Sequence, residues 1–279
     1  MSLRLGALRI GHCPDPDDAF IFYALTHGKV RVEGVELTPV LEEIELLNRR
    51  ALAGEVELSA ISAAAYPQVA ERYRILESGA ALALGSGPIL VGKDTIPPEE
   101  IPERVVAVPG QYTTATLLLK LYLGDDLPII VVPFDKIPKV VLEGQADLGL
   151  LIHEGPITYE AQGLTKVMDL GERWFQETRL PLPLGVNVVR RDLGEDLGRK
   201  LSEAVRASIR YAQRHRDEAT DYALRYGRGM DAETCRRFIE MYVNDYAMSL
   251  GDEGRQALRY LYRRADGAGL LRAPDLDII

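Results

Sequence analysis

Cysteine, histidine and tryptophan are scarce in this chain of 279 residues, which has two, four and one of them respectively. Two cysteines, Cys13 and Cys235, in so long a chain exclude a disulfide-built secreted scaffold and read as a reducing compartment. Neither sits in a CxxC spacing, and the four dispersed histidines form no HExxH, so neither a metal nor any other cofactor is expected. The absence of GxGxxG and GxxxxGK[ST] removes the motif support for a dinucleotide or Walker-type site. Without a GxSxG elbow, an α/β-hydrolase triad has no support either. No apolar run nears the ~20 residues of a membrane-spanning helix. The start, MSLRLGALRIGHCPDPDD, has no apolar stretch of signal-peptide length, which makes the cytoplasm the expected location. Positive charge is in the minority, with 33 Lys and Arg against 42 Asp and Glu and a net charge of −9. That balance excludes the broad basic footprint of a nucleic-acid binder and disfavours anionic membranes. A local, amide-rich anion site stays compatible with it. A small molecule is the one partner expected, and no oligomeric state is assigned.

What is present is an alternation of short apolar runs with helical stretches. Leu8–Cys13 reads as a strand, Ala19–His27 as a helix, Val35–Leu41 as a strand placed at an edge by Pro39, Glu43–Ala53 as an amphipathic helix and Leu58–Ser62 as a strand. This βαβαβ order predicts a parallel sheet covered by helices. A Pro-rich, charged connection, Asp94–Arg104, separates it from a second set of strands at 105–108, 128–133, 146–153, 167–170 and 184–189. From Glu195 onward the chain reads as helical. With no sheet of its own to cover, the tail is expected to pack on the first lobe. The expectation is an α/β fold of two lobes with a cleft between them, lobe 1 being residues 1–94 with 188–279 and lobe 2 an insertion, 95–187.

Ligands in open α/β sheets bind beyond the carboxyl ends of strands, and clefts between lobes are favoured sites. Four loops follow strands. In His12–Ala19 (HCPDPDDA), Asp17 and Asp18 either cap a helix or meet a ligand. In Ala60–Tyr66 (AISAAAY), small residues around Ser62 allow either close ligand approach or close helix packing. In Pro109–Thr114 (PGQYTT), Thr113 and Thr114 bring hydroxyls beside unpaired helix-start amides, an uncharged cradle for a carboxylate or phosphate. In Ile152–Thr158 (IHEGPIT), His153 at the end of a buried strand suits a general base near neutral pH, with Glu154 as a neighbour that either orients it or is solvated. His12 also follows a strand and competes with His153 for that role.

Together these segments resemble the 1,4-dihydroxy-6-naphthoate synthase family of the futalosine route to menaquinone. The matching stretches are CPDPDDAFIFYAL (Cys13–Leu25), IELLNRRALAGE (Ile44–Glu55), AISAAAY, VAVPGQYTTA (Val105–Ala115), ADLGLLIHEGPITY (Ala146–Tyr159), LPLPLG (Leu180–Gly185) and YVNDYAMSLGDEG (Tyr242–Gly254). The resemblance implies a periplasmic-binding-protein type II fold and a cofactor-free lyase that cleaves cyclic dehypoxanthinyl futalosine to 1,4-dihydroxy-6-naphthoate and a sugar-derived fragment. It further implies His153 as proton acceptor, with Ala60, Ile61 and Ser62 lining one side of a small carboxylate substrate and Thr113 and Thr114 the other. The first loop departs from the family's usual SPCPNDTF, with Cys13, Asp15, Asp17 and Ala19 in place of Ser, Cys, Asn and Thr, and Ala60 stands where the family more often has Lys. Extra carboxylates there are expected to weaken an anion's binding unless Asp15 and Asp17 face away. Two other readings use the same cleft: a non-catalytic binding protein for a small organic anion, and a same-fold enzyme acting on a related carboxylate.

Overall fold

Strand β1 (Leu8–His12) pairs in parallel with β2 (Leu37–Leu41) on one side and β3 (Leu58–Ser62) on the other. The helices Pro16–Thr26 and Ile44–Ala53 make the connections. This is the expected βαβαβ unit, with Pro39 in the edge strand, where its missing N–H costs no ladder bond. The structure, a computed structural model, describes residues 7–279; residues 1–6, the first part of the segment read for a leader, lie outside it.

Two three-residue strands follow, β4 (Tyr73–Ile75) and β5 (Ala81–Ala83), both too short to carry a readable periodicity. The chain then enters a second sheet through β6 (Ile89–Gly92), β7 (Val106–Val108), β8 (Ile129–Val131), β9 (Leu148–Leu151) and β10 (Thr165–Asp169), in the order β10-β6-β9-β7-β8. It returns to the first sheet in β11 (Leu182–Arg190), which runs antiparallel to β3, β4 and β5.

Sheet membership differs from the expected boundaries at 94/95 and 187/188. Ile89–Gly92 already pairs in the second sheet, while Leu182–Asn187 pair in the first. The Pro-rich stretch taken for a linker instead folds into a 3-10 turn, Pro98–Glu103, with Ile101 buried beneath it. Prolines marked a turn inside the second lobe rather than a passage between lobes. The helix Leu170–Thr178 was missed as well. Asp169 caps it, accepting from the Glu172 amide at 2.9 Å, so an apolar residue read as the end of a strand is its first residue.

The tail is helical as expected. Its helices Glu195–Arg214, Arg216–Leu224 and Ala232–Tyr242 pack on Pro16–Thr26, in the first lobe. The last helix, Gly251–Gly267, reaches further and lies on both β11 and the helix Thr114–Leu123 that follows β7. Leu258, Leu261 and Tyr262 therefore share one core with Leu117, Leu118, Leu148 and Val186. Each such apolar side chain contributes about 1.5–3 kcal/mol on full burial. Tyr262 also donates its hydroxyl to Ala63 O at 2.9 Å, which fixes the small-residue run after β3. The packing holds the ends of β1, β3, β7 and β9 around one cavity.

Candidate active site

The loop after β1 is shaped by its two prolines. Pro16 opens the helix at a position whose N–H would be unpaired anyway, and Asp15 before it is the N-cap, accepting from the Asp18 amide at 3.3 Å. Neither Asp17 nor Asp18 is the cap, as had been open; both lie in the first turn and line the cavity. Asp18 accepts from the Cys13 amide at 2.7 Å and so ties the loop to itself. The other oxygen of Asp15, Oδ2, reaches across the cleft to His153 Nδ1 at 2.8 Å.

His153 follows β9 with a left-handed backbone (φ 53°), a conformation that costs energy in a non-glycine residue and needs its surroundings to hold it. The Asp15 bond and a tilted contact with the Phe134 ring, centroids 4.6 Å apart, supply that hold. With Nδ1–H given to Asp15, the Nε2 of a neutral ring is the proton acceptor. Burial pulls the His153 pKa down, but the charge of Asp15 and its hydrogen bond outweigh this, and the net shift is upward. Burial likewise pushes Asp15 up, yet attraction to His153 leaves it below the ordinary carboxylate range. Glu154 does not touch the imidazole; it faces Arg228 at 3.5 Å, so the carboxylate that orients His153 comes from the other lobe.

Three carboxylates share this end of the cavity. Burial, then the charges of Asp15 and Asp18, hold Asp17 well above the ordinary range, and burial with Asp15 raises Asp18 to about 8. Asp15 and Asp17 therefore do not face away: both line the cavity, and Asp17 Oδ1 is buried with no partner among the described residues. Near pH 7 Asp18 is thus mostly an uncharged carboxyl, Asp17 is pushed in the same direction, and Asp15 is the one acid of the three held toward its carboxylate form. Burial and the same carboxylates push the Cys13 thiol up, which keeps it a neutral thiol. Tyr242, from the tail, adds a buried phenol to the wall.

At the end of β3, Ser62 is held from below. Its amide donates to Asn48 Oδ1 at 2.8 Å, and Asn48 Nδ2 donates to Ser62 Oγ at 3.1 Å. That leaves the Ser62 hydroxyl hydrogen free of any acceptor among the described residues, beside Ala60 and Ile61 on the cavity wall. Asn48 is fully buried. Asn48→Ala strips the Ser62 amide of its acceptor, and we expect it to lower stability by about 1–3 kcal/mol in urea unfolding.

After β7, Gly110 is required because a Cβ there would sit 2.3 Å from Glu45 Oε2, and that carboxylate accepts from the Tyr112 amide at 3.1 Å. Thr113 is the N-cap of Thr114–Leu123, accepting from Thr116 N at 3.2 Å and donating to Gly110 O at 3.0 Å. Thr114 Oγ1 donates to Leu184 O at 2.7 Å and accepts from Ala64 N at 3.1 Å. Both hydroxyls are thus committed to the protein, contrary to the expectation that they would serve a ligand. What the cradle offers instead is the Thr114 and Ala115 amides, which open the helix and have no intrahelical acceptor. The helix dipole adds to their attraction for an anion.

The cavity so formed has a volume of about 750 Å³, part of it open to solvent, with a largely apolar floor that includes Leu184, Val186 and Phe238. All of His153, Ala60, Ile61, Ser62, Thr113, Thr114, Asp17 and Asp18 line it. His12 does not. It is fully buried, stacked on Phe22 at 4.9 Å, with Nδ1 3.0 Å from Cys13 O, and burial lowers its pKa. Asp15, Asn48 and Tyr242 were not singled out as site residues. Asp15 did carry a signal, an Asp directly before a Pro that opens a helix; Asn48 and Tyr242 had none in their local sequence.

A family model described as menaquinone biosynthesis matches residues 8–267. A 1,4-dihydroxy-6-naphthoate synthase of Thermus thermophilus is 46% identical over 264 residues, 95% of this chain and 96% of that one. A crystal structure of an Archaeoglobus fulgidus protein superposes with a TM-score of 0.90 at 46% identity, covering 95% of this chain and 98% of the other. At 14% identity, a Candida albicans protein of the generic periplasmic-binding-protein fold superposes with a TM-score of 0.73 over 99% of this chain and 96% of its own, which shows the fold alone.

Proposed function

The chain belongs to the menaquinone-biosynthesis family, and we propose that it is a 1,4-dihydroxy-6-naphthoate synthase, converting cyclic dehypoxanthinyl futalosine to 1,4-dihydroxy-6-naphthoate. Its reaction is a cofactor-independent carbon–carbon lyase step run by general-base catalysis. The observation that carries this reading is the Asp15–His153 pair at 2.8 Å in the wall of a cavity that also holds a helix-start amide cradle. His153 Nε2 takes a proton from the substrate. The bond that joins the ring system to the sugar-derived part breaks, and aromatisation to the naphthalene supplies much of the driving force. Asp15 stabilises the imidazolium that forms and keeps the ring aimed.

The two ends of the cavity suit the two ends of the substrate. Its carboxylate fits the Thr114 and Ala115 amides, an electropositive helix start with no acid among the residues that form it. Its hydroxyl-bearing part fits the Asp17, Asp18 and Ser62 side, where carboxyl and hydroxyl groups both donate and accept. This orientation brings the reacting carbon to His153 rather than merely near it, which is where most of the gain from binding resides. We place the reaction in the cytoplasm, a location supported by the biosynthetic role of the relative named above.

The test is to incubate EDTA-treated protein with cyclic dehypoxanthinyl futalosine and follow naphthoate formation by absorbance and mass. Turnover without added metal or nucleotide is the expected result. Absence of product from wild-type protein sinks the assignment.

A further inference from the structure

No metal motif is legible in the chain, yet folding builds a donor set from residues far apart in sequence. The thiol of Cys13, a carboxylate oxygen of Asp15 and a ring nitrogen of His153 lie within 4.8 Å of one another. Two come from the loop after β1 and the third from the end of β9, so the set exists only where the lobes meet. Cys13 and Asp15 are buried, at 4% and 2% exposure, and Cys13 has no disulfide partner. A further acid lines the same wall. Asp17 is buried, and its Oδ1 has no partner among the described residues. The nearby Arg228 is turned to Glu154 and to Pro14 O, at 3.5 and 3.1 Å.

We propose that Cys13, Asp15 and His153 form a binding site for a divalent cation of the zinc class, with its fourth position facing Asp17 or the open cavity. Thiolate, imidazole and carboxylate together suit zinc and cobalt(II) far better than magnesium or calcium, which take oxygen ligands. Metal–ligand bonds of ~2.0–2.3 Å in a tetrahedron put donor atoms ~3.3–3.7 Å apart. The Asp15–His153 pair, now at 2.8 Å, opens by about half an ångström to reach that spacing. The thiol closes in from no further than 4.8 Å. On binding, the thiol proton leaves to solvent and the imidazole proton moves from Nδ1 to Nε2, so that the Asp15–His153 hydrogen bond is replaced by two metal bonds; no oxidation or reduction is involved.

Such an ion takes the imidazole and its orienting carboxylate out of service, so it inhibits rather than assists. That consequence rests on the lyase reading above; the binding itself does not. The experiment titrates cobalt(II) into full-length, EDTA-treated and desalted protein. A thiolate-to-cobalt charge-transfer band in the near ultraviolet is expected, bleached by added zinc. Cys13→Ser removes the band and weakens zinc binding by more than about tenfold, since even the outer partners of metal ligands are worth 10–100-fold. His153→Ala, checked for native circular dichroism, removes the tetrahedral visible bands. Cys235→Ser, whose sulfur is buried in the core around Tyr23 and Ile239, keeps the full spectrum. No band in wild type, or an unchanged band in Cys13→Ser, overturns the site. A band accompanied by turnover that zinc does not reduce overturns the inhibitory role. A band from protein with no turnover at all counts against the lyase reading and leaves the site standing.

Discussion

His153→Ala is expected to lower kcat by about 10²–10⁴-fold, the range a positioned general base contributes, with KM changed much less. The asymmetry follows from the layout of the cavity. In the proposed orientation the carboxylate of the substrate sits at the Thr114 and Ala115 amides, and those contacts survive the substitution. An interaction that matters only as the proton moves is lost from kcat and not from ground-state binding. Alanine keeps the Cβ that makes this left-handed backbone costly and adds no bulk to it, so the loss is expected from the missing base rather than from gross unfolding. Steady-state kinetics on cyclic dehypoxanthinyl futalosine, beside circular dichroism and a thermal melt, separate the two. Full activity in the variant would remove His153 from the mechanism. His12 would then be a poor substitute, because it is sealed against Phe22 and does not line the cavity.

Much of this site was legible because its pieces are local. A strand ending in Ser62 and a strand ending just before His153 each show their apolar run and their loop in a few consecutive residues, and the order of such units fixes which ends face the cleft. What could not be read is pairing across the cleft. Asp15 read only as an extra carboxylate in the first loop, and nothing near it in sequence says that its free oxygen meets an imidazole from the other lobe. Asn48 reads as one polar residue on an amphipathic helix, although its amide side chain holds both polar groups of Ser62. The threonines misled for a related reason. Two adjacent hydroxyls at a helix start suggested ligand contacts, but one closes the cap and the other bridges to Leu184 and Ala64, acceptor and donor that only the tertiary fold brings near. The first crossing between lobes was placed at the Pro-rich stretch and the second within the run 184–189, whereas it is β-pairing that decides sheet membership.

Asp15→Asn is expected to change the pH profile and the rate in a way that no other single replacement in the cavity should. Asparagine keeps the size and can still cap the helix that begins at Pro16, so the fold of the loop is retained. It removes the charge that raises the His153 pKa, and burial, now unopposed by Asp15, pulls that value down. Under the proposed general-base mechanism the active form of His153 is the neutral one. In wild type, activity is therefore lost as pH falls through a raised pKa, and in the variant this acid limb of kcat/KM moves to lower pH. The plateau falls at the same time, by about 10²-fold or more, because the imidazolium formed in the transition state has no counter-charge and its ring is less well aimed. Stability carries its own signature. Asp15, with a depressed pKa, contributes stability above its unfolded value and loses it as pH falls through the folded one. His153, with a raised pKa, contributes below its unfolded value and loses it as pH rises through the folded one. The ion pair thus stabilises the fold most in mild acid, between the two folded values, and there the gap between wild type and Asp15→Asn in urea unfolding should be widest. An acid limb that stays in place, or a stability gap that grows toward alkaline pH, would mean that Asp15 is not what holds the proton of His153.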